Sequence, residues 1–328
     1  MDDSAEHPVS GESSAEVRLQ SSDVCISVLC PFYNEEAVVE QFFARLFPIL
    51  EGLHRTYEVI CVNDGSRDGT LAALLLKAKQ YRQVKVIDLS RNFGKEAALS
   101  AALDYANGYA IVPIDADLQD PPELIPAMVE KWEAGAEVVL ARRSNRNSDS
   151  QMKRTTAVWF YLILNRLADI GIPENVGDFR LMDRRVVNAV KTLPESRRFM
   201  KGIFAWVGFR TVTLDYIREE RVAGTSKFNG WRLWNFALEG ITSFSTVPLR
   251  AWLYIGLSIA LISIIYGLII ITKTVIFGVQ QPGYASLMVS VLFLGGIQLI
   301  GIGVLGEYIG RVYLESKRRP LYIVRDVF

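Results

Sequence analysis

Ala110-Ile111-Val112-Pro113-Ile114-Asp115-Ala116-Asp117-Leu118-Gln119-Asp120-Pro121-Pro122 is a short apolar run, rich in β-branched residues, that ends in two carboxylates one residue apart. Such a run reads as a buried strand, and the proline pair stops a helix from starting at once. In open parallel sheets, ligands bind beyond the carboxyl ends of the strands. Two hard oxygen donors there suit Mg²⁺ or Mn²⁺, which keep waters and take further ligands from a substrate diphosphate. Acidic loops facing solvent are also common, so the tripeptide needs support from the rest of the chain.

That support lies upstream. Strand-like runs at Cys25–Cys30, Tyr57–Val62 and Val84–Leu89 alternate with helical patterns at Ala37–Gly52, Leu71–Gln83 and Lys95–Ala106, and Glu137–Ala141 reads as a further strand. Strand and helix in alternation, joined by short turns, predict an α/β fold with a mostly parallel sheet flanked by helices. Each predicted strand is followed by a polar cluster: Pro31 with Tyr33, Asn34, Glu35 and Glu36; Asn63 to Thr70; Arg91 to Lys95; and Asp115 to Asp117. Singly, these are ordinary turns and helix caps. Stacked on one sheet edge, they make a binding site. No Gly-x-Gly-x-x-Gly follows the first strand and no phosphate loop ends in Gly-Lys-Ser/Thr, which disfavours nicotinamide dehydrogenases and phosphate-loop hydrolases.

The chain has 328 residues, half of them hydrophobic, with 36 basic against 36 acidic residues. Balanced charge offers no field for nucleic acid. Residues 1–23 hold no apolar run and read as a disordered cytosolic tail. Cys25, Cys30 and Cys61 match no metal or redox spacing and read as small core residues in a reducing compartment.

Ala251–Thr272 and Leu287–Leu305 carry no charged residue, and each is long enough to cross a hydrocarbon core of about 30 Å. Arg232 and Arg250 precede the first, while Arg311, Lys317, Arg318 and Arg319 follow the second. The positive flanks place both termini in the cytoplasm. Trp159–Leu164 and Gly230–Phe244 are aromatic-rich stretches suited to the headgroup level, with core packing the alternative. Gly295, Gly296, Gly301, Gly303 and Gly306 permit close helix contact. The β-favouring end, Tyr322 to Val324, needs a partner edge. Its own domain or a neighbouring protomer could supply that edge, and a homo-oligomer is the expectation.

Pro31-Phe32-Tyr33-Asn34-Glu35-Glu36, Asn63-Asp64-Gly65-Ser66-Arg67-Asp68-Gly69-Thr70, the Asp115–Pro122 run and Arg221-Val222-Ala223-Gly224-Thr225-Ser226-Lys227 together resemble the family 2 glycosyltransferases. The resemblance is strongest to bacterial polyprenyl-phosphate glucosyltransferases and dolichyl-phosphate mannose synthases. It implies a GT-A fold over residues 24–228, an interfacial helix at 229–247, a membrane region at 248–306 and a cytosolic tail at 307–328. It also implies an inner-membrane, multi-pass enzyme that transfers a hexose with inversion from a nucleotide sugar to a polyprenyl phosphate. UDP-glucose is the expected donor; mannose, aminosugars and GDP suit the same residues.

By this resemblance Pro31, Tyr33, Glu35, Val62, Asp64, Asp115, Ala116 and Arg142 hold the nucleotide, with the contact resting on Asp64 because Asn63 stands where many relatives have Asp. Asp117, with Asp115 and Gln119, is the expected Mg²⁺ or Mn²⁺ site. Asp178 is the expected base or orienting residue, with a plain pairing to Arg180 the alternative, and Arg221 and Lys227 are expected to grip phosphate. A polyprenyl phosphate is already largely a dianion at neutral pH, its second pKa being about 6, so it needs positioning and cations more than a base. Arg180, Arg197 and Arg198 are further cations available for that. Arg91 is a weaker donor-side candidate. A processive polysaccharide synthase would need Gln-x-x-Arg-Trp, which is absent. A non-catalytic lipid-carrier scaffold would have lost the carboxylates, which are present.

Overall fold

The structure, a computed structural model, describes residues 25–144, 176–193, 195, 198, 200–216, 247–277 and 283–328. The N-terminal tail, Trp159–Leu164, Arg197, Arg221, Lys227 and Gly230–Phe244 lie outside the described residues.

Four strands build the parallel part of one sheet: β1 (Ile26–Phe32), β2 (Tyr57–Asn63), β3 (Val84–Leu89) and β4 (Ala110–Pro113). β1 sits centrally, Ile26 pairing with Tyr57 on one side and with Ala110 on the other. β3 adds outside β2. These strands are apolar on both faces because helices cover both. α1 (Glu36–Gly52) packs Val39, Phe42, Phe43, Leu46 and Leu50 against one side. α3 (Lys95–Tyr105) packs Ala98, Leu99, Ala102 and Leu103 against the other. α2 (Thr70–Gln80) stops short of Gln83 because Tyr81 turns extended and stacks on Phe47, ring centroids 4.2 Å apart. Cys25, Cys30 and Cys61 are buried, free thiols.

The predicted strands and helices of this half appear within a few residues of their expected bounds. The second half of the sheet is less legible in sequence. A 3₁₀ turn at Pro122–Leu124 leads into α4 (Ile125–Glu133), then β5 (Val138–Arg143), β6 (Val176–Asp183), α5 (Arg184–Thr192), α6 (Met200–Trp206) and β7 (Thr211–Tyr216). β6 runs antiparallel between β4 and β5, and β7 runs parallel to β5 at the edge.

α7 (Val247–Phe277) and α8 (Tyr284–Ser316) form the C-terminal helices. Their apolar side chains, among them Tyr254, Ile262, Tyr266, Phe293 and Leu299, are turned outward. Among the described residues, one stretch is long and apolar enough to cross a membrane: Phe293–Ser316, which overlaps the expected Leu287–Leu305 within α8. Gly301 of α8 lies directly against the Trp252 indole of α7, so at least this glycine serves close packing within the chain.

The chain end supplies β8 (Val324–Val327), which pairs antiparallel with β3 of its own sheet. Of the two partner edges open to the tail, the structure uses the one in its own chain. Phe328 and Val86 exchange both backbone hydrogen bonds, and Ser90 N–H donates to the Ile323 carbonyl at 2.9 Å.

Candidate functional site

Because β1 to β4 are parallel, their carboxyl ends share one edge, and the four polar clusters meet there. They line a cavity of about 380 Å³ formed by Pro31, Tyr33 and Glu35 from β1, Asp64 after β2, Asn92, Gly94 and Lys95 after β3, and Asp115, Ala116 and Asp117 after β4. The walls are cross-linked. Asn34, left-handed at φ 53°, donates its N–H to Ser66 Oγ at 3.0 Å and accepts at Oδ1 from Arg67 N–H at 2.8 Å. Asp64 accepts from Phe93 N–H (2.7 Å), Gly94 N–H (2.9 Å) and Asn92 Nδ2 (2.9 Å). Burial pushes the Asp64 pKa up against those donors.

Gly65 closes the crossing of these two loops. Its φ is +62°, and an added Cβ would sit 2.5 Å from Asn92 N and closer still to the Arg91 carbonyl carbon. Gly65→Ala is therefore expected to force the loops apart, combining left-handed strain of about 1–2 kcal/mol with backbone overlap. A thermal melt should show the lost stability, and nucleoside diphosphate binding should weaken with it. A variant as stable as the parent would show that the loops have room to separate.

The second carboxylate partner comes from β6. Ala110 pairs with Asp183 and Ile111 with Met182; β6 thus runs antiparallel beside β4 and brings Asp178 to the end of the sheet where Asp115 lies. Lys95 joins them, its Nζ 2.7 Å from Asp115 Oδ1 and 2.7 Å from Asp178 Oδ2. Burial pushes the Lys95 ammonium's pKa down, but the two carboxylates outweigh it and hold it above the usual lysine range. For Asp178, burial pushes up, while Lys95 and then Lys201 pull the carboxyl down to about 2. Its second oxygen, Oδ1, is buried with no hydrogen-bond partner among the described residues.

Asp178 does not pair with Arg180. Arg180 is buried, donating to the carbonyls of Gly177 (2.8 Å) and Asp178 (3.4 Å) and stacking on Phe204 at 4.3 Å. Those contacts fix the backbone that presents Asp178. Burial lowers the Arg180 pKa to about 10. Arg198 likewise donates to the Leu193 carbonyl at 2.8 Å.

Like Asp178, which meets the cavity through Lys95, the expected site residues Val62, Arg142 and Gln119 fall outside the cavity lining. Val62 is fully buried in the core beneath the sheet edge. Arg142 lies opposite Asp215 in the β5–β7 register, and its guanidinium makes a two-point contact with that carboxylate at 2.7 and 3.0 Å. Gln119 contributes its backbone N–H to Asp117 Oδ1 at 3.2 Å. Asp120, in the same acidic run, is structural: it takes the Tyr216 hydroxyl and faces Arg143 at 3.8 Å. Sequence reading placed Lys95 in a cluster but missed its pairing. The available signal was a lysine in the first turn of a helix, against the dipole.

Among the described residues no three His, Cys, Asp or Glu side chains converge to hold a metal. The donor set still fits Mg²⁺ or Mn²⁺, which bind through one or two carboxylates and complete their shell with substrate phosphates and water. Asp117 lines the cavity at the end of β4, whereas Asp115 is already gripped by Lys95.

Residues 27–190 match the family model "Glycosyl transferase family 2", and residues 247–312 match "GtrB C-terminal hairpin". Bactoprenol glucosyl transferase of Shigella phage SfV is 55% identical over 92% of this chain and 98% of that protein. A prophage bactoprenol glucosyl transferase homolog of Escherichia coli K12 is 54% identical over 92% and 99%. An uncharacterized glycosyltransferase of Synechocystis is 56% identical over 92% and 95%. Glucosyl-3-phosphoglycerate synthase from Mycobacterium tuberculosis, solved with Mn²⁺, UDP and glucosyl-3-phosphoglycerate, superposes with a TM-score of 0.50 at 21% identity, over 73% of this chain and 84% of that one. That last likeness speaks to the fold, a GT-A-like α/β arrangement.

Proposed function

The chain belongs to glycosyltransferase family 2, and on that footing we propose that it transfers glucose from UDP-glucose to a polyprenyl phosphate at the cytoplasmic membrane face. The observation that carries the proposal is the cavity itself, where all four strand ends supply polar groups to one volume of about 380 Å³. The names of the similar phage and prophage proteins support the glucose and the polyprenyl acceptor.

In this reading Tyr33, Pro31, Glu35 and Asp64 hold the nucleoside, and Asp117 with the donor diphosphate would hold Mg²⁺ or Mn²⁺. Such an ion, when bound, stabilises the charge of the leaving diphosphate as a Lewis acid. Transfer is a single displacement. An acceptor phosphate oxygen forms the new bond to C1, the C1–O bond to the diphosphate breaks with its electron pair, and the configuration inverts. No proton has to move, because the acceptor is already a dianion.

Asp178 accordingly orients rather than serving as base. A carboxylate held near pKa 2 is a poor proton acceptor at neutral pH, and its grip on Lys95 keeps that ammonium at the diphosphate end of the cavity. Arg221 and Lys227 are proposed to hold the acceptor phosphate. The lipid cannot leave the bilayer, each CH₂ being worth about 0.8 kcal/mol, so the α7–α8 hairpin is proposed to span the membrane twice and bring the enzyme to it.

The test is a panel of UDP and GDP sugars assayed with one polyprenyl phosphate. Release of UDP from UDP-glucose that depends on added lipid phosphate is expected. Release from another sugar nucleotide alone would reassign the donor. Binding of lipid phosphate without turnover of any donor would favour the scaffold alternative.

A further inference from the structure

We propose that Arg325, on the strand that follows the C-terminal hairpin, is a positioning residue for the donor cavity; the inference rests on reading that cavity as a nucleotide site. The Arg325 guanidinium reaches two places at once. Nη2 donates to the Ser90 carbonyl at 2.7 Å, and Nη1 lies 3.4 Å from Asp88 Oδ2.

Both contacts lead into the cavity walls. Ser90 begins the loop that carries Asn92 and Gly94 and leads into Lys95 at the start of α3. Asp88, almost completely buried, accepts from Asn63 Nδ2 at 2.7 Å through its other oxygen. Asn63 in turn accepts the Ser66 N–H at Oδ1, 3.3 Å away, closing the turn that presents Asp64. One fork therefore ties the loop after β2 and the loop after β3 to the chain terminus. A smaller cavity of about 220 Å³ lies along this tie, lined by Asn63, Ser66, Asp88, Arg91 and Arg325, and it shares Tyr33 and Asn92 with the donor cavity.

The arrangement also accounts for Asn63. A carboxylate at this position would face buried Asp88 with two acceptors and no donor between them, a like-charge contact; the amide supplies the donor. Asn63, Asp88 and Arg325 thus form an alternating chain of donors and acceptors, and its outer member is contributed by the tail. Because the tail follows α8, the end of the membrane hairpin is tied to the wall of the donor site.

The experiment uses the full chain in detergent. Donor KM, acceptor KM and kcat are measured, together with the rise in Tm caused by UDP and by GDP. Arg325→Ala is expected to raise donor KM about fivefold to tenfold, with kcat and acceptor KM within about twofold of the parent. The nucleotide-induced rise in Tm should shrink in parallel. Arg325→Lys, which can reach Asp88 or the Ser90 carbonyl but not both, should raise donor KM by an intermediate factor, and it carries the test if the alanine variant does not fold. Unchanged donor KM and unchanged nucleotide stabilisation in a folded variant overturn the proposal, even if the apo Tm falls, because a merely structural tail would behave that way. A parent stabilised by neither UDP nor GDP would overturn the nucleotide-site reading, and this inference with it.

Discussion

Asp117→Ala is expected to reduce sugar transfer by several kcal/mol of transition-state stabilisation, on the order of a hundredfold to a thousandfold in rate. Asp117 stands at the end of β4 in the cavity, its Oδ1 oriented by the Gln119 N–H. Asp115 cannot readily replace it, because both of its oxygens lie within 2.9 Å of Lys95 Nζ. The same loss should follow when EDTA strips the parent protein, and added Mg²⁺ or Mn²⁺ should restore the parent but not the variant. Full activity in excess EDTA would falsify the metal assignment. Parent-like turnover in the variant would move the diphosphate elsewhere in the cavity.

Lys95→Met is the second large effect. The substitution leaves two carboxylates, Asp115 and Asp178, facing each other across the space the ammonium held. Charged hydrogen bonds are worth about 1.5–3 kcal/mol each, and the lower end applies because the Lys95 side chain is 44% exposed and partly screened by water. The repulsion should raise the pKa of one carboxylate until it binds a proton. The expected result is a fall in Tm together with loss of donor turnover. Adding Asp178→Asn to Lys95→Met should recover part of the stability, since it removes one of the opposed charges, but not the activity. If Lys95→Met melted and turned over like the parent, the bridge would be a surface pairing of no consequence.

Asp178 illustrates why the candidate site was only partly legible. Its motif, Gly177-Asp178-Phe179-Arg180-Leu181, invites a pairing with Arg180 two residues away. In a strand, however, residues i and i+2 project from the same face with their side chains roughly parallel. Here Arg180 is drawn inward to backbone carbonyls and Phe204. The partner Asp178 finds is Lys95, distant in sequence, because β6 inserts beside β4. Arg142 shows the same effect in reverse: a cation expected at the nucleotide is taken by Asp215, which the parallel β5–β7 register sets opposite it.

Local sequence was enough for the alternation of strand and helix through Tyr105, the burial of the cysteines, and the four polar clusters that meet at one cavity. These are short-range properties, carried by apolar periodicity and turn chemistry within a few residues, and parallel strands then bring their ends to a common edge without further instruction. Which charges meet was set by the folded sheet. Lys95 with Asp178, Arg142 with Asp215 and Arg325 with Asp88 are all pairings across the order β7-β5-β6-β4-β1-β2-β3-β8. That order depends on which apolar faces bury one another, a global balance of packing that no short stretch of residues encodes. The same balance sent the β-favouring tail to β3 of its own sheet, where an unpaired edge lay within reach.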